Sequence, residues 1–206
     1  MEKENKHLLI IFTRNIVKGK CKTRLASVVG DDVAMEIYRF LVNHTVEISK
    51  DLPVQKWVFY SDKIEENDLF NRNAFEKYAQ EGEDLGKRMH NAFNVGFAQG
   101  YENIIIIGSD MYEISQKDLE LAFEKLEQHD YVIGPAKDGG YYLLGMKSAN
   151  SAIFDNKNWG TSSVLTDTLK DIDSGDLKLL SERNDVDVIE DIKEVPDFQR
   201  FLKEIG

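Results

Sequence analysis

The chain has 206 residues, 42% of them hydrophobic and 31% charged, which is enough to bury a core and too apolar for a disordered chain. A formal net charge of −11 sets its average surface against a polyanion, excluding a general grip on nucleic-acid polymer but not a small anion in a local basic pocket. The single cysteine, Cys21, allows no internal disulfide and suits a reducing cytoplasm, while four scattered histidines give no zinc or acyl-transfer pattern.

In chain order, the first residues mix acids with lysines around a short apolar run, unlike a signal peptide, and no run reaches membrane-spanning length. HLLIIFT (7–13) is near-continuously apolar, as expected of a strand covered on both faces. A basic loop follows, and then 31–50 places Val33, Ile37, Phe40, Leu41 and Ile48 at roughly helical spacing behind an N-capping Asp31 or Asp32. KWVFYS (56–61) reads as a strand, and AFEKYAQ (74–80) as a short strand or the end of a helix. A helix over 84–100 carries an apolar stripe from Leu85 to Phe97 and stops at Gly100. NIIIIGSD (103–110) is the strongest strand, and Ser115 caps the helical QKDLELAFEKLEQH. DYVIGP and YYLLGM are strands, 161–173 is a helix opened by Thr161 or Ser162, and 185–195 passes from a short strand into a terminal helix. Such alternation predicts one α/β domain over 1–206, with a mostly parallel sheet and helices on both faces.

Open α/β sheets bind ligands beyond the carboxyl ends of their strands, and three segments lie there. The loop TRNIVKGKCKTRL concentrates Arg14, Lys18, Lys20, Lys22 and Arg24 in an acidic protein, which makes it either an anion cradle or a solvated lysine-rich turn. The run of isoleucines delivers Gly108, Ser109 and Asp110 to a strand end. There a carboxylate either binds a hard cation together with substrate phosphates or simply forms a turn. In GPAKDGGYYLLG (134–145), Asp138, Gly139 and Gly140 interrupt two apolar strands, as a hairpin turn or as backbone closing on a ligand. Trp159, Gly160 and Thr161 mark a helix start where an indole can floor a pocket, and DVDVIED supplies Asp185, Asp187, Glu190 and Asp191, some of them helix N-terminal charges.

In this order, TR…KGKCKTRL, EDLGKRMHNAF, IIIIGSD, VIGPAKDGGYYLLG, WGTSSVLTDTL and DVDVIED span nearly the whole chain. The set resembles an uncharacterised bacterial family of nucleotide-diphospho-sugar transferase type, also termed glycosyltransferase A-like. The KTRL loop and GSD are similar to 2-phospholactate guanylyltransferase and, more distantly, to molybdenum-cofactor nucleotidyltransferases. The resemblance implies a Rossmann-like nucleotide-diphospho-sugar transferase fold with the nucleotide over the first strand's loop. It implies Lys22, Arg24 and Arg14 or Lys18 on phosphates, Asp110 on Mg²⁺ or Mn²⁺, and Asp138 and Asp187 as candidates for a second carboxylate. Gly139 and Gly140 would close backbone on the ligand, beside Tyr141, Trp159 and Thr161. Two departures stand out: Met111 and Tyr112 follow Asp110 where the family pattern has a nearby proline, and the first loop lacks its usual prolines.

The first expectation is therefore a cytoplasmic, metal-dependent glycosyltransferase, with a nucleotide-sugar donor, an unspecified acceptor and Asp138 as base. A nucleotidyltransferase releasing pyrophosphate is the alternative, and a non-catalytic nucleotide-binding protein the third.

Overall fold

Alternation along two strands builds the two core layers on either side of the sheet. In β1 (His7–Thr13), Leu9 and Ile11 enter one hydrophobic cluster while Leu8, Ile10 and Phe12 enter the other. In β4 (Asn103–Gly108), Ile105 and Ile107 join the first cluster and Ile104 and Ile106 the second. A strand buried on both faces needs a layer on each, and the helices supply them. On the first face lie α2 (Asp31–Ser49), through Tyr38, Val42 and Val46, and α4 (Gln116–Gln128), through Leu119, Ala122, Phe123 and Leu126. On the second lie α3 (Leu85–Ala98), through Met89, Ala92 and Phe93, and α5 (Val164–Lys170), through Leu165 and Leu169.

The computed structural model describes residues 6–172 and 176–203. The remaining strands are β2 (Gln55–Tyr60), β3 (Glu76–Ala79), β5 (Tyr131–Pro135), β6 (Tyr141–Met146) and β7 (Leu177–Leu179). Sheet order is β3-β2-β1-β4-β6-β5-β7, and β6 runs antiparallel to both its neighbours while every other pairing is parallel. The sheet is thus mostly parallel with helices on both faces, as the sequence predicts. Among the described residues no helix is long and apolar enough to cross a membrane.

One open local expectation is resolved and three others change. AFEKYAQ resolves as strand, since Phe75 and Lys77 are buried and the segment pairs in parallel with β2. The end of the basic loop is helical: α1 (Thr23–Val29) buries Leu25 and Val29 against α2 and stops at Gly30. The helix expected over 161–173 begins at Val164, because Thr161 spends its hydroxyl on the Asn158 carbonyl at 2.8 Å, and position 173 lies outside the described residues. The segment 185–195 holds no strand and only the single 3₁₀ turn Ile189–Asp191, because the Asp191 carboxylate draws in the backbone N–H groups of Asp187 and Val188 at 2.8 Å each. The extra edge strand is β7.

Candidate active site

The carboxyl ends of β1, β2, β3 and β4 open onto a polar cleft of about 820 Å³. A network of buried hydroxyls holds its floor. Tyr38 Oη meets Ser109 Oγ at 2.9 Å and Thr13 Oγ1 at 3.2 Å, and accepts the Arg14 backbone N–H at 2.8 Å. The loop after β1 is thereby tied to the end of β4. Asn15 ties it to the loop after β2: its carbonyl oxygen accepts from the Asp62 backbone N–H and its amide donates to the Lys63 carbonyl. Arg14, Lys20, Lys22 and Arg88 all line this cleft, so the basic loop turns inward despite the chain's acidity.

Lys22 is held in an unusual way. Its backbone is left-handed, with φ 47° and ψ 53°, at the position preceding α1. That turn sends the side chain inward, where it is only 7% exposed and donates to Asp110 Oδ2 at 2.9 Å. Burial works to lower the Lys22 pKa, but the charge and hydrogen bond of Asp110, with Asp185 and Asp187 behind them, hold it above the ordinary lysine value. Asp110 lies deep among protein atoms yet keeps 41% of its side chain open to the cleft. Burial works to raise its pKa, and the charge and hydrogen bond of Lys22, helped by Arg14, outweigh that and hold it below the carboxylate range.

A second, smaller space of about 240 Å³ adjoins the cleft and shares with it Phe12, Leu85, Gly108 and Asp110. Its walls are apolar, among them Met89, Leu144, Tyr141 and Trp159, and the carboxylates of Asp110, Asp138 and Asp185 line it. Trp159 packs so close to the first turn of α3 that a Cβ on Gly86 would lie 2.6 Å from its ring, so the glycine is what seats the indole there. Tyr141 meets the same indole edge-to-face, with centroids 6.5 Å apart. Asp185 is pushed up to about 6 by burial, then by the negative charges of Asp110 and, less strongly, Asp138, against the pull of Lys22.

The residues singled out from sequence fall into place unevenly. Arg14, Lys22, Asp110 and Asp187 line the cleft, while Asp138, Gly140, Tyr141, Trp159 and Thr161 line the chamber with Asp110. Arg24 stays outside both linings, 71% exposed, and reaches Asp187 Oδ2 at 2.6 Å. Lys18 is turned away, its ammonium 2.6 Å from Asp32 on α2. Gly139 closes on the chain itself. With φ 89°, it sits where a Cβ would lie 2.3 Å from the Ser162 carbonyl oxygen, and its own carbonyl accepts the Leu165 N–H at 2.9 Å. Its space therefore seats the start of α5, whereas Gly140, whose N–H donates to Asp138 Oδ1 at 2.8 Å, faces the chamber. The carboxylate left out of the expected set is Asp185. It is one of four acids in DVDVIED, and spacing alone does not separate it from Asp191, which is spent on the turn.

Among the described residues, no three His, Cys, Asp or Glu side chains stand close enough to hold a metal ion by themselves. The Asp110 carboxylate, one oxygen of which is paired with Lys22, is a hard donor of the kind that could hold a divalent cation completing its shell with phosphate and water rather than an all-protein cage.

The fold is one shared with solved structures of nucleotide-diphospho-sugar-transferase and nucleotidyltransferase type. A crystal structure from Desulfovibrio desulfuricans G20, provisionally described as a nucleotide-diphospho-sugar transferase, superposes with TM-score 0.86 at 28% identity, covering 97% of this chain and 95% of that one. A cytidylyltransferase from Leptospira borgpetersenii superposes at TM-score 0.58 and 13% identity (98% and 94% covered). A CMP:2-keto-3-deoxy-manno-octonic acid synthetase complexed with CTP does so at 0.55 and 10% (97% and 100%), likenesses of fold alone. Residues 45–161 match the model of a family described as an uncharacterized protein conserved in bacteria (DUF2064), and the chain belongs to that family. No curated protein matches it.

Proposed function

We propose that the protein transfers a glycosyl group from a nucleotide-diphospho-sugar to an acceptor hydroxyl, with Mg²⁺ or Mn²⁺ at Asp110. One observation carries this reading: Asp110 lies on the seam between a polar cleft, large enough for a nucleotide and carrying Arg14, Lys20, Lys22 and Arg88, and an apolar chamber whose charged lining groups are all carboxylates. The likeness to the Desulfovibrio protein supports it.

In this reading the nucleoside diphosphate lies in the cleft over the loop after β1, where Arg14 and Lys22 meet its phosphates. Lys22 offsets the charge that builds on the leaving group, and Arg24 positions Asp187 through their ion pair. The acceptor oxygen attacks the anomeric carbon and forms a new C–O bond. The bond from that carbon to the β-phosphate oxygen breaks, its electron pair leaves with the nucleoside diphosphate, and the acceptor's proton passes to Asp138 or its neighbour Asp185. A divalent cation held by Asp110, with Asp187 or Asp185, would supply further neutralisation of the diphosphate.

A thermal-shift panel of nucleoside triphosphates and nucleotide sugars, with and without Mn²⁺, tests this on the wild type and Asp110→Asn. Ligand at a hundred times its dissociation constant stabilises by about 2.7 kcal/mol. The expected result is a cation-dependent shift with a nucleotide sugar that disappears in Asp110→Asn. No shift with any nucleotide sinks the donor site, and turnover that releases pyrophosphate assigns nucleotidyl transfer instead.

A further inference from the structure

The two halves of the site differ in their cations: the cleft mixes basic side chains with the carboxylates of Asp62, Glu83, Asp84, Asp110 and Asp187, whereas the chamber has carboxylates alone. Arg14, Lys20, Lys22 and Arg88 all line the cleft; the chamber is lined by no Lys, Arg or His among the described residues. Its ionisable lining groups, apart from tyrosines, are Asp110, Asp138 and Asp185. The Tyr142 hydroxyl is spent on the Ser181 carbonyl at 3.1 Å, and the Tyr141 hydroxyl is buried away from solvent, so both present ring rather than donor. Trp159 and Met89 complete the apolar wall.

A phosphate or carboxylate entering this chamber would leave water, meet the Asp138 and Asp185 carboxylates beside an Asp110 already paired with Lys22, and find no cationic side chain in the wall. A hydroxyl or ammonium meets carboxylate acceptors, and a compact hydrocarbon body meets aromatic and aliphatic walls. About 240 Å³ accommodates a single small ring or a short branched chain. Nucleotidyl transfer to a sugar phosphate would require an anion on this side of Asp110, where the lining offers it no charged donor.

We infer that the chamber takes an acceptor with an alcohol or amine on a compact apolar body, and that it discriminates against the phosphorylated counterpart of the same body. This rests on the glycosyl-transfer reading for the acceptor's role, but the chamber's preference is measurable without any nucleotide. The chain has two tryptophans, Trp57 in the core and Trp159 in the chamber wall, so an emission change that is lost in Trp159→Phe reports occupancy.

The experiment titrates the full chain with cyclohexanol, cyclohexylamine and cyclohexyl phosphate at pH 8, following tryptophan emission. The expected outcome is a Trp159-dependent change with the alcohol and the amine at concentrations at least tenfold below any seen with the phosphate. In Asp138→Asn/Asp185→Asn that gap narrows to less than threefold, with folding checked by circular dichroism. Equal or tighter binding of the phosphate overturns the inference, as does a Trp159-dependent response to none of the three. Failure of the nucleotide panel alongside a positive result here would remove the donor assignment and leave the chamber's preference standing.

Discussion

Four candidate residues meet as two ion pairs, Lys22 with Asp110 and Arg24 with Asp187, and their environments make the pairs unequal. Arg24 is largely in water, so its pair contributes little to stability. Lys22 is enclosed, and removing its charge leaves Asp110 facing Asp185 with only the weaker influence of Arg14 to compensate. Lys22→Met is expected to destabilise the fold by about 1–3 kcal/mol, less than a fully buried pair because Asp110 stays open to the cleft. Adding Asp110→Asn to it should recover much of the loss in a double-mutant cycle followed by urea unfolding.

Asp185 makes the opposite prediction. Its folded pKa of about 6 lies above the ordinary 3.8, so the folded state holds its proton more tightly than the unfolded chain does. The associated stability is full below pH 3.8 and is lost as pH rises through 6. Asp185→Asn escapes that loss and should be more stable than wild type at pH 8 by about 1–2 kcal/mol, after discounting for a side chain that is only partly buried. The gain should vanish at pH 3.5 in parallel melting curves. A more stable variant with a weaker site is the signature of charge strain kept for function.

At the scale of elements, the turn between β5 and β6 carries the contrast between two adjacent glycines. Gly139→Ala forces a Cβ into the Ser162 carbonyl at a positive φ and should cost about 3 kcal/mol, loosening the start of α5. At Gly140 a Cβ would meet only the Asp138 carboxylate at 3.2 Å, and Gly140→Ala should change stability by no more than about 1 kcal/mol. Chemical denaturation of the two variants side by side checks this. The same turn shows how far sequence reaches. The apolar runs of β1 and β4 and the Ser115 cap are legible because burial and capping are local properties of residue type. Gly139 is legible as a special position but not as the seat of α5, since its partner, Ser162, is distant in sequence. The helix α1 is hidden because it is short, starts from a left-handed lysine and takes its stability from α2 and the C-terminal aromatic cluster around Phe198. Lys18 and Lys22 are equivalent in composition, and only the path of the loop separates the one on Asp32 from the one on Asp110.

Across the whole molecule, stability is graded from the centre of the sheet to its edges. β1 and β4 are paired on both sides and buried on both faces, whereas β7 is a three-residue edge strand with two exposed positions. Native-state hydrogen exchange should show the amides of Leu9–Ile11 and Ile105–Ile107 opening only with global unfolding, and those of Leu177–Leu179 opening first. The cleft and chamber sit at the ends of the most protected strands, so their floor is rigid while their walls come from connecting segments.

The reversal of β6 has a consequence for how such a molecule diversifies. Because β5 rises and β6 descends, the tip of their hairpin arrives at the same rim as the ends of β1 and β4, carrying Asp138 with it. The chamber's outer wall is therefore made by the hairpin tip and the segment from Trp159 to Val164, while the cleft is made by loops from the other half of the sheet. The two halves share little beyond Asp110 and the few residues around it. Mutations in the hairpin tip or before α5 reshape the chamber and leave the cleft intact, so a lineage built on this plan can alter one half of its site without altering the other.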